Sequence, residues 1–494
     1  MRSPRKAHVN NGPTYPSRQS FPQSSAAGRR KRTSEPHSTS GSARYPIGGI
    51  AGTCLGTLLA IALIPEDPQP KGALFQSALA MTVGLSAAPL AAAFKDPKSL
   101  LRGEHLLALS PIYWLLLDLL QSAYPMEAIE PAHVRTAYIG IGLFVVAVWI
   151  GSMQRPWIVP TTVVRSVSVD FSANTYFSVT VLAFILGMLR FAIPCDFNFV
   201  DMFSYVGQGR WSAPWGREQL GGWDAFLDHI QYFGYLLPAL TVIVARRAGW
   251  IDLRTVISIA MALVMALFLA QSGSRRIIGV VFGMGLILWM LTQQRLKTKH
   301  MIVVTIAVGA LLAFLQVMLA YRGVGLGALL EKEQTEAVGR PDYLHVDDNI
   351  YRFCQIIQLI PESHPYVYHR YLIWIMVRPI PRVFWPGKPV DPGFDLPTAL
   401  GVEGVSYSFS TIGELYMSGG LLAIALGGWF YGRLSSMATR LLTQGASFGM
   451  YVIYSTLMMA LFSGMRSMLE LILTSYVVLA WLGLLRLFIY FKGR

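Results

Sequence analysis

The residues with chemistry to offer are one carboxylate and one set of cations. Glu414 lies in the run Ser410-Thr-Ile-Gly-Glu-Leu-Tyr416, at the mouth of an apolar stretch. A carboxylate partly withdrawn from water is costly there and is a candidate functional group; ionised, it can accept a proton from a hydroxyl as general base. The alternative role is structural, an acid capping a helix N-terminus together with Ser410 or Thr411. The cations are Arg275 and Arg276 in a tight Ser-Gly-Ser-Arg-Arg turn, Arg322, and then Arg370, Arg378, Arg382 and Lys388. The planar fork of arginine matches phosphate oxygens two at a time, so a lipid pyrophosphate is a fitting partner. Phospholipid headgroups, or Asp342, Asp347, Asp348 and Glu362 of the same chain, are the competing partners.

Other chemistries lack their residues. There is no Walker motif, dinucleotide fingerprint or Gly-x-Ser-x-Gly elbow, and the nine histidines show no HExxH spacing, so no metal or other cofactor is expected. Cys54, Cys195 and Cys354 make neither a disulfide framework nor a CxxC site, although Cys195 and Cys354 fall on the same expected side, where a bridge is permitted. Asp118 and Arg190 sit at comparable depth in their helices, which makes an ion pair between them the expected arrangement.

These groups must be positioned by elements that live in lipid. The chain is 53% hydrophobic and 14% charged over 494 residues, too little polar surface for a soluble core of this size. Twelve apolar runs recur, at about 46–64, 73–94, 106–123, 136–153, 174–193, 226–245, 255–272, 277–294, 301–320, 412–432, 447–464 and 470–490. The expected fold is an all-α polytopic membrane protein of about twelve transmembrane helices over residues 45–494. Residues 1–44, basic and rich in Ser, Pro and Gly, are expected to form a disordered cytoplasmic tail. With that tail inside, the even-numbered connections carry most of the Lys and Arg, which places both termini in the cytoplasm. The net charge of +14 is thus an orientation signal; it forms no groove-sized patch, and no nucleic-acid partner is expected.

Two outer segments are too long for simple turns, residues 194–225 and 321–411. They contain Trp211, Trp215, Trp223, Trp374 and Trp385, and are expected to be ordered at the outer interface. Between Asp347 and Ile360, apolar residues at Ile350, Phe353, Cys354, Ile357 and Ile360 keep helical spacing, which fits an interfacial amphipathic helix or a helix packed on the bundle.

The second of these loops also carries a resemblance. The segment Arg378-Pro-Ile-Pro-Arg382-Val-Phe-Trp-Pro-Gly-Lys388-Pro, then Ser408 to Tyr416 and Gly419-Gly420, resembles the outer loop of bacterial oligosaccharide repeat-unit polymerases of the O-antigen polymerase (Wzy) type. The Ser272-Gly-Ser-Arg275 turn is similar to a recurrent element of that family, and the matches cover about 40 residues. Met417-Ser418-Gly419 stands where such proteins often have Asn-Phe-Gly.

The resemblance implies a metal-independent glycosyltransferase with a GT-C-like bundle in the bacterial cytoplasmic membrane. Its substrates would be undecaprenyl-pyrophosphate-linked repeat units, joined on the outer face into a surface polysaccharide such as O-antigen, capsule or exopolysaccharide. Its partners would be membrane lipids and the pathway's chain-length regulator and flippase. Glu414, Arg275 and Arg382 would be catalytic, with Arg276, Arg322, Arg378, Lys388, Tyr416 and Trp385 binding substrate. An O-antigen ligase shares the donor chemistry, and a polysaccharide flippase or other transporter shares the helix count.

Overall fold

A computed structural model describes residues 44–215, 223–325, 327–328, 343–389, 391–444 and 447–492. The expected tail, apart from Arg44, lies outside the described residues, as do 216–222 and 329–342 of the two long loops. Among the described residues the regular structure is entirely helical. The principal helices are α1 (Arg44–Ala62), α2 (Phe75–Lys95), α3 (Gly103–Pro111), α4 (Pro131–Met153), α5 (Ala173–Ala192), α6 (Leu237–Ala248) and α7 (Leu253–Gln271). They continue as α8 (Arg275–Leu291), α9 (Thr298–Ala320), α10 (Asn349–Leu359), α11 (His369–Val377), α12 (Ser410–Gln444), α13 (Phe448–Ser463) and α14 (Met468–Lys492).

Eight helical stretches are long and apolar enough to cross a membrane. They contain α2, α4, α5, α6, α7, α9, most of α12 and most of α14. Of the other four expected runs, α1 and α13 are apolar but shorter, and α8 has 17 residues. The run at 106–123 is broken: α3 passes through a π-helical segment, Ile112–Leu116, before ending at Leu120. Such π segments are local irregularities often found beside functional sites.

Two apolar cores organise the bundle. One joins α1–α4 with α10, α11 and the first part of α12; the other joins α5–α8 with α13 and α14, and Phe462 packs against both. Helix α12 lies along α4 at close range because Gly428 and Gly432 face the Phe144 and Val148 carbonyls, where a Cβ would come within 2.4 and 2.2 Å. This is the small-residue contact that lets membrane helices approach backbone to backbone.

Helix α10 settles the choice left open for its apolar face. Ile350, Phe353 and Cys354 are buried within the protein, against α4 and α12, so the face is packed on the bundle and does not lie on lipid. Cys54, Cys195 and Cys354 are all free thiols, Cys354 buried and Cys54 exposed. Helix α12 bends at Gly419–Gly420, where Gly420 has φ +64° and ψ −152°, a conformation essentially confined to glycine. The bend separates a short first segment carrying Glu414 and Tyr416 from the long helix behind it.

Candidate active site

Two turns of the same sequence pattern build the site. Ser272-Gly-Ser-Arg275 joins α7 to α8, and Ser463-Gly-Met-Arg466 joins α13 to α14. Both arginines reach Asp347: Arg275 Nη2 lies 2.8 Å from Oδ1, and Arg466 Nε 2.7 Å from Oδ2. Arg275 also donates through Nη1 to the His345 carbonyl at 2.5 Å. Asp347 and Asp348 have φ of +82° and +51°, uncommon for residues other than glycine, so the segment is held in shape by its partners. Burial opposes ionisation of Asp347, but Arg466 and then Arg275 outweigh it and hold the carboxyl below its ordinary range. Arg276 forms an ion pair with Glu470, itself buried. Arg352 pairs loosely with Asp348 and lies 3.7 Å over the Tyr407 ring.

The segment that presents Asp347 is tied down by the broken third run. Gln121 accepts from the Leu344 N–H at 2.8 Å and donates to its carbonyl at 3.1 Å. The Asn349 amide donates to the Trp114 carbonyl in the π segment at 2.9 Å. Asp118 is buried next to this segment, near Asp347 and Asp348. The expected Asp118–Arg190 pair is not formed. Arg190 instead pairs with Asp228 at 2.8 Å and donates to the Trp215 carbonyl at 2.5 Å. Equal depth along two helices did not make them lateral neighbours.

Glu414 is 4% exposed and both of its oxygens are engaged. Tyr371 Oη donates to Oε1 at 2.6 Å, and the Met468 N–H donates to Oε2 at 2.6 Å. Met468 is the first residue of α14, so the carboxylate meets the positive end of that helix, not the start of its own. A capping role is thus present, though on a different helix from the one anticipated. Arg466, two residues before Met468, connects Glu414 electrostatically with the Asp347 cluster.

From Glu414 a ladder of side chains leads along α11. Tyr371 donates to the carboxylate and stacks on Trp374 with centroids 5.5 Å apart; Arg378 in turn lies 5.1 Å from the Trp374 centroid. Positions 371, 374 and 378 share one helical face. Beyond the ladder the chain enters the Pro-rich turn. Lys388 Nζ donates to the carbonyls of Arg378 at 2.7 Å and Ile380 at 2.5 Å, so this lysine braces the turn. Burial, then the nearby Arg378 and Arg382, push the Lys388 amine below its usual value. Three cations therefore gather in one short turn. Arg378, Arg382 and Trp385 are exposed at its surface.

The anticipated residues thus divide. Arg275, Arg276 and Glu414 are brought together around the 463–470 turn, and Arg378, Arg382, Lys388 and Trp385 form a second group. Arg322 is exposed, its stem against Gly273 in the first turn, and Tyr416 is buried, its ring 5.9 Å from Phe353. Arg466 and Tyr371 were not among the anticipated site residues, and Asp347 was anticipated only as a competing partner of the arginines, the role it takes with Arg275. The repeated Ser-Gly-x-Arg pattern was a usable signal for Arg466. No protein-family model, curated protein or solved structure matches this chain.

Proposed function

We propose that this chain is a metal-independent glycosyltransferase that polymerises undecaprenyl-pyrophosphate-linked oligosaccharide repeat units on the outer face of the bacterial cytoplasmic membrane. In this reading α1, α8, α13 and the broken third run also cross the bilayer, giving twelve crossings in a GT-C-like bundle with both termini inside. The observation that carries the reading is the ladder Glu414–Tyr371–Trp374–Arg378, which joins a buried carboxylate to a group of exposed cations over seven helical residues, about 10 Å.

The transfer forms a bond between an acceptor hydroxyl oxygen and the donor's anomeric carbon, and breaks the bond from that carbon to the pyrophosphate. Arg378 and Arg382 meet the charge that develops on the departing undecaprenyl pyrophosphate. The acceptor's proton passes to Tyr371 Oη as that group delivers its own proton to Glu414. No nucleotide is required, because the lipid pyrophosphate is already an activated leaving group. A transporter would gather its polar groups at the bilayer midplane, whereas these lie at helix ends and turns.

Deleting the gene and resolving the surface polysaccharide by size tests the reading. Single-repeat products support a polymerase; loss of attachment of full-length chains indicates a ligase, and accumulation on the cytoplasmic side a flippase. Reporter fusions test the orientation. Those after Arg247 and Lys299 should report cytoplasm and those within residues 343–389 the outer side; a cytoplasmic signal from the latter would overturn the mechanism.

A further inference from the structure

At the N-terminal end of α11, the helix that carries Tyr371, lies a cavity of about 150 Å³, the size that accepts a single six-membered ring. Its wall includes His364, Tyr366, Tyr368, His369, Arg370 and Phe394. We infer that this cavity is a subsite for one uncharged pyranose residue of the saccharide, separate from the place of the pyrophosphate. The inference rests on the glycosyltransferase reading for its biological meaning, though not for its physical argument.

Three features point to a sugar. The first is the alternation of ring faces with polar edges. Tyr366 and Tyr368 have centroids 6.1 Å apart, and His364 and Phe394 5.3 Å apart, all around one ring-sized space. Aromatic bodies with polar tips suit a pyranose, which presents C–H groups on its faces and hydroxyls at its rim. The second is charge. Arg370, the one fixed cation among the described residues of the wall, pairs with Asp391 at 2.6 Å, and Asp391 also accepts from the Gly393 N–H at 2.7 Å. A neutralised guanidinium favours a hydroxyl-bearing neutral ligand over phosphate, and an Arg–Asp pair offers donors and acceptors side by side. The third is conformation. Tyr368 is 62% exposed, yet its backbone has φ +46° and ψ −129°, which side-chain-bearing residues seldom adopt. Strained backbone that holds an aromatic ring open beside a cavity is the pattern of a preformed binding surface.

The cavity is wired to the proposed reacting centre. The Val367 N–H donates to the Met417 carbonyl at 3.0 Å, three residues after Glu414. The Tyr366 ring lies 6.2 Å from that of Tyr416, and its hydroxyl is 3.0 Å from where a Cβ on Gly420 would stand, at the bend of α12. Three residues past Tyr368, Tyr371 touches the Glu414 carboxylate. A ring seated in the cavity is thereby registered against Glu414 by one backbone hydrogen bond and by the Tyr366 and Tyr371 side chains.

The test uses the full-length protein in nanodiscs of phosphatidylethanolamine and phosphatidylglycerol. Saturation-transfer NMR would be recorded with methyl glycosides of glucose, galactose, mannose, rhamnose, N-acetylglucosamine and N-acetylgalactosamine. At least one should receive saturation on its ring protons, and excess inorganic pyrophosphate should not displace it. Tyr368→Ala should weaken the signal at least about fivefold, as loss of one aromatic face implies, while Tyr368→Phe keeps it. Phe394→Ala gives a second loss that does not touch the strained backbone. No transfer to any of the six glycosides, an unchanged signal in both alanine variants, or displacement by pyrophosphate would overturn the subsite. A sugar signal lost in the alanine variants, together with normal chain lengths after gene deletion, would uphold the subsite and remove the polymerase reading.

Discussion

The turn arginines and the loop cations are the same chemical groups used in opposite ways. Arg275 and Arg466 share Asp347, Arg276 pairs with Glu470, and Glu414 lies beside Arg466, so each charge in the turns faces one of opposite sign. In the Pro-rich turn three cations gather instead: Arg378 and Arg382 add to burial in lowering the proton affinity of Lys388, which donates to the Arg378 and Ile380 carbonyls. Matched charges in a partly dry setting hold a structure together, because each alone would bear a desolvation cost. Clustered cations at a wet surface cost stability and are retained where an anion comes to meet them. The comparison moves the phosphate-binding role away from Arg275 and Arg276 and toward Arg378 and Arg382, and it leaves Glu414 as the member of the matched set placed to act in chemistry.

The largest effect is expected at Glu414. Glu414→Gln keeps the shape and still accepts from Met468, but lacks the basic oxygen, so transfer should fall by about 10²–10⁴ with donor binding intact. Tyr371→Phe should reproduce much of that loss. If Gln turns over normally and only membrane abundance falls, Glu414 is a cap for α14 and nothing more.

Next is Asp347→Ala, which strands two arginines at once. Breaking a buried pair costs roughly 3–5 kcal/mol, and the loss here should be nearer about 2–3, since a quarter of the aspartate side chain remains exposed. It should appear as a lower thermal midpoint in detergent. The opposite group behaves in the opposite way: Arg382→Ala should leave the midpoint unchanged and slow transfer about tenfold, the loss of a charge-assisted contact to phosphate. Arg382→Lys should recover little, because a point charge does not reproduce the guanidinium fork. A destabilised Arg382→Ala with a stable Asp347→Ala would reverse the comparison.

How far the sequence carried follows from the range of each interaction. The apolar runs are local, and so is the spacing of Ile350, Phe353 and Cys354; that spacing became a helix where expected, and eight helical stretches long and apolar enough to cross a membrane fall on the runs, while the third run is broken by a π segment. Glu414 and Arg275 stood out by type and setting, and they lie in one network. What joins that network is not local. Asp347 is 72 residues from Arg275 and 119 from Arg466, and Tyr371 is 43 from Glu414. Helix depth could place Asp118 and Arg190 at one level, but lateral order in a bundle depends on packing, and Arg190 went to Asp228. The π segment that supplies the Trp114 carbonyl to Asn349 has no composition signal of its own.

The smallest effect near neutral pH, and the most specific, is the proton linkage of Asp347. Its carboxyl sits below the ordinary value because Arg466 and Arg275 outweigh burial, so the folded state binds a proton less readily there than the unfolded chain. A depressed carboxyl contributes stability that is present above the unfolded value, about 3.9, and is lost as pH falls through the folded one. The gap in thermal midpoint between wild type and Asp347→Asn should therefore stay constant from about pH 8 to about pH 5 and begin to close only below about pH 4. Raising salt at neutral pH should narrow the gap only in part, since a pair three-quarters withdrawn from solvent is screened less than a surface pair. A gap that closes already between about pH 7 and 5 would mean that Asp347 takes up its proton in the folded protein above the ordinary carboxylate range. The two Ser-Gly-x-Arg turns would then meet a largely neutral group, and the matched-charge account of the turns would fail while the loop cations kept their role.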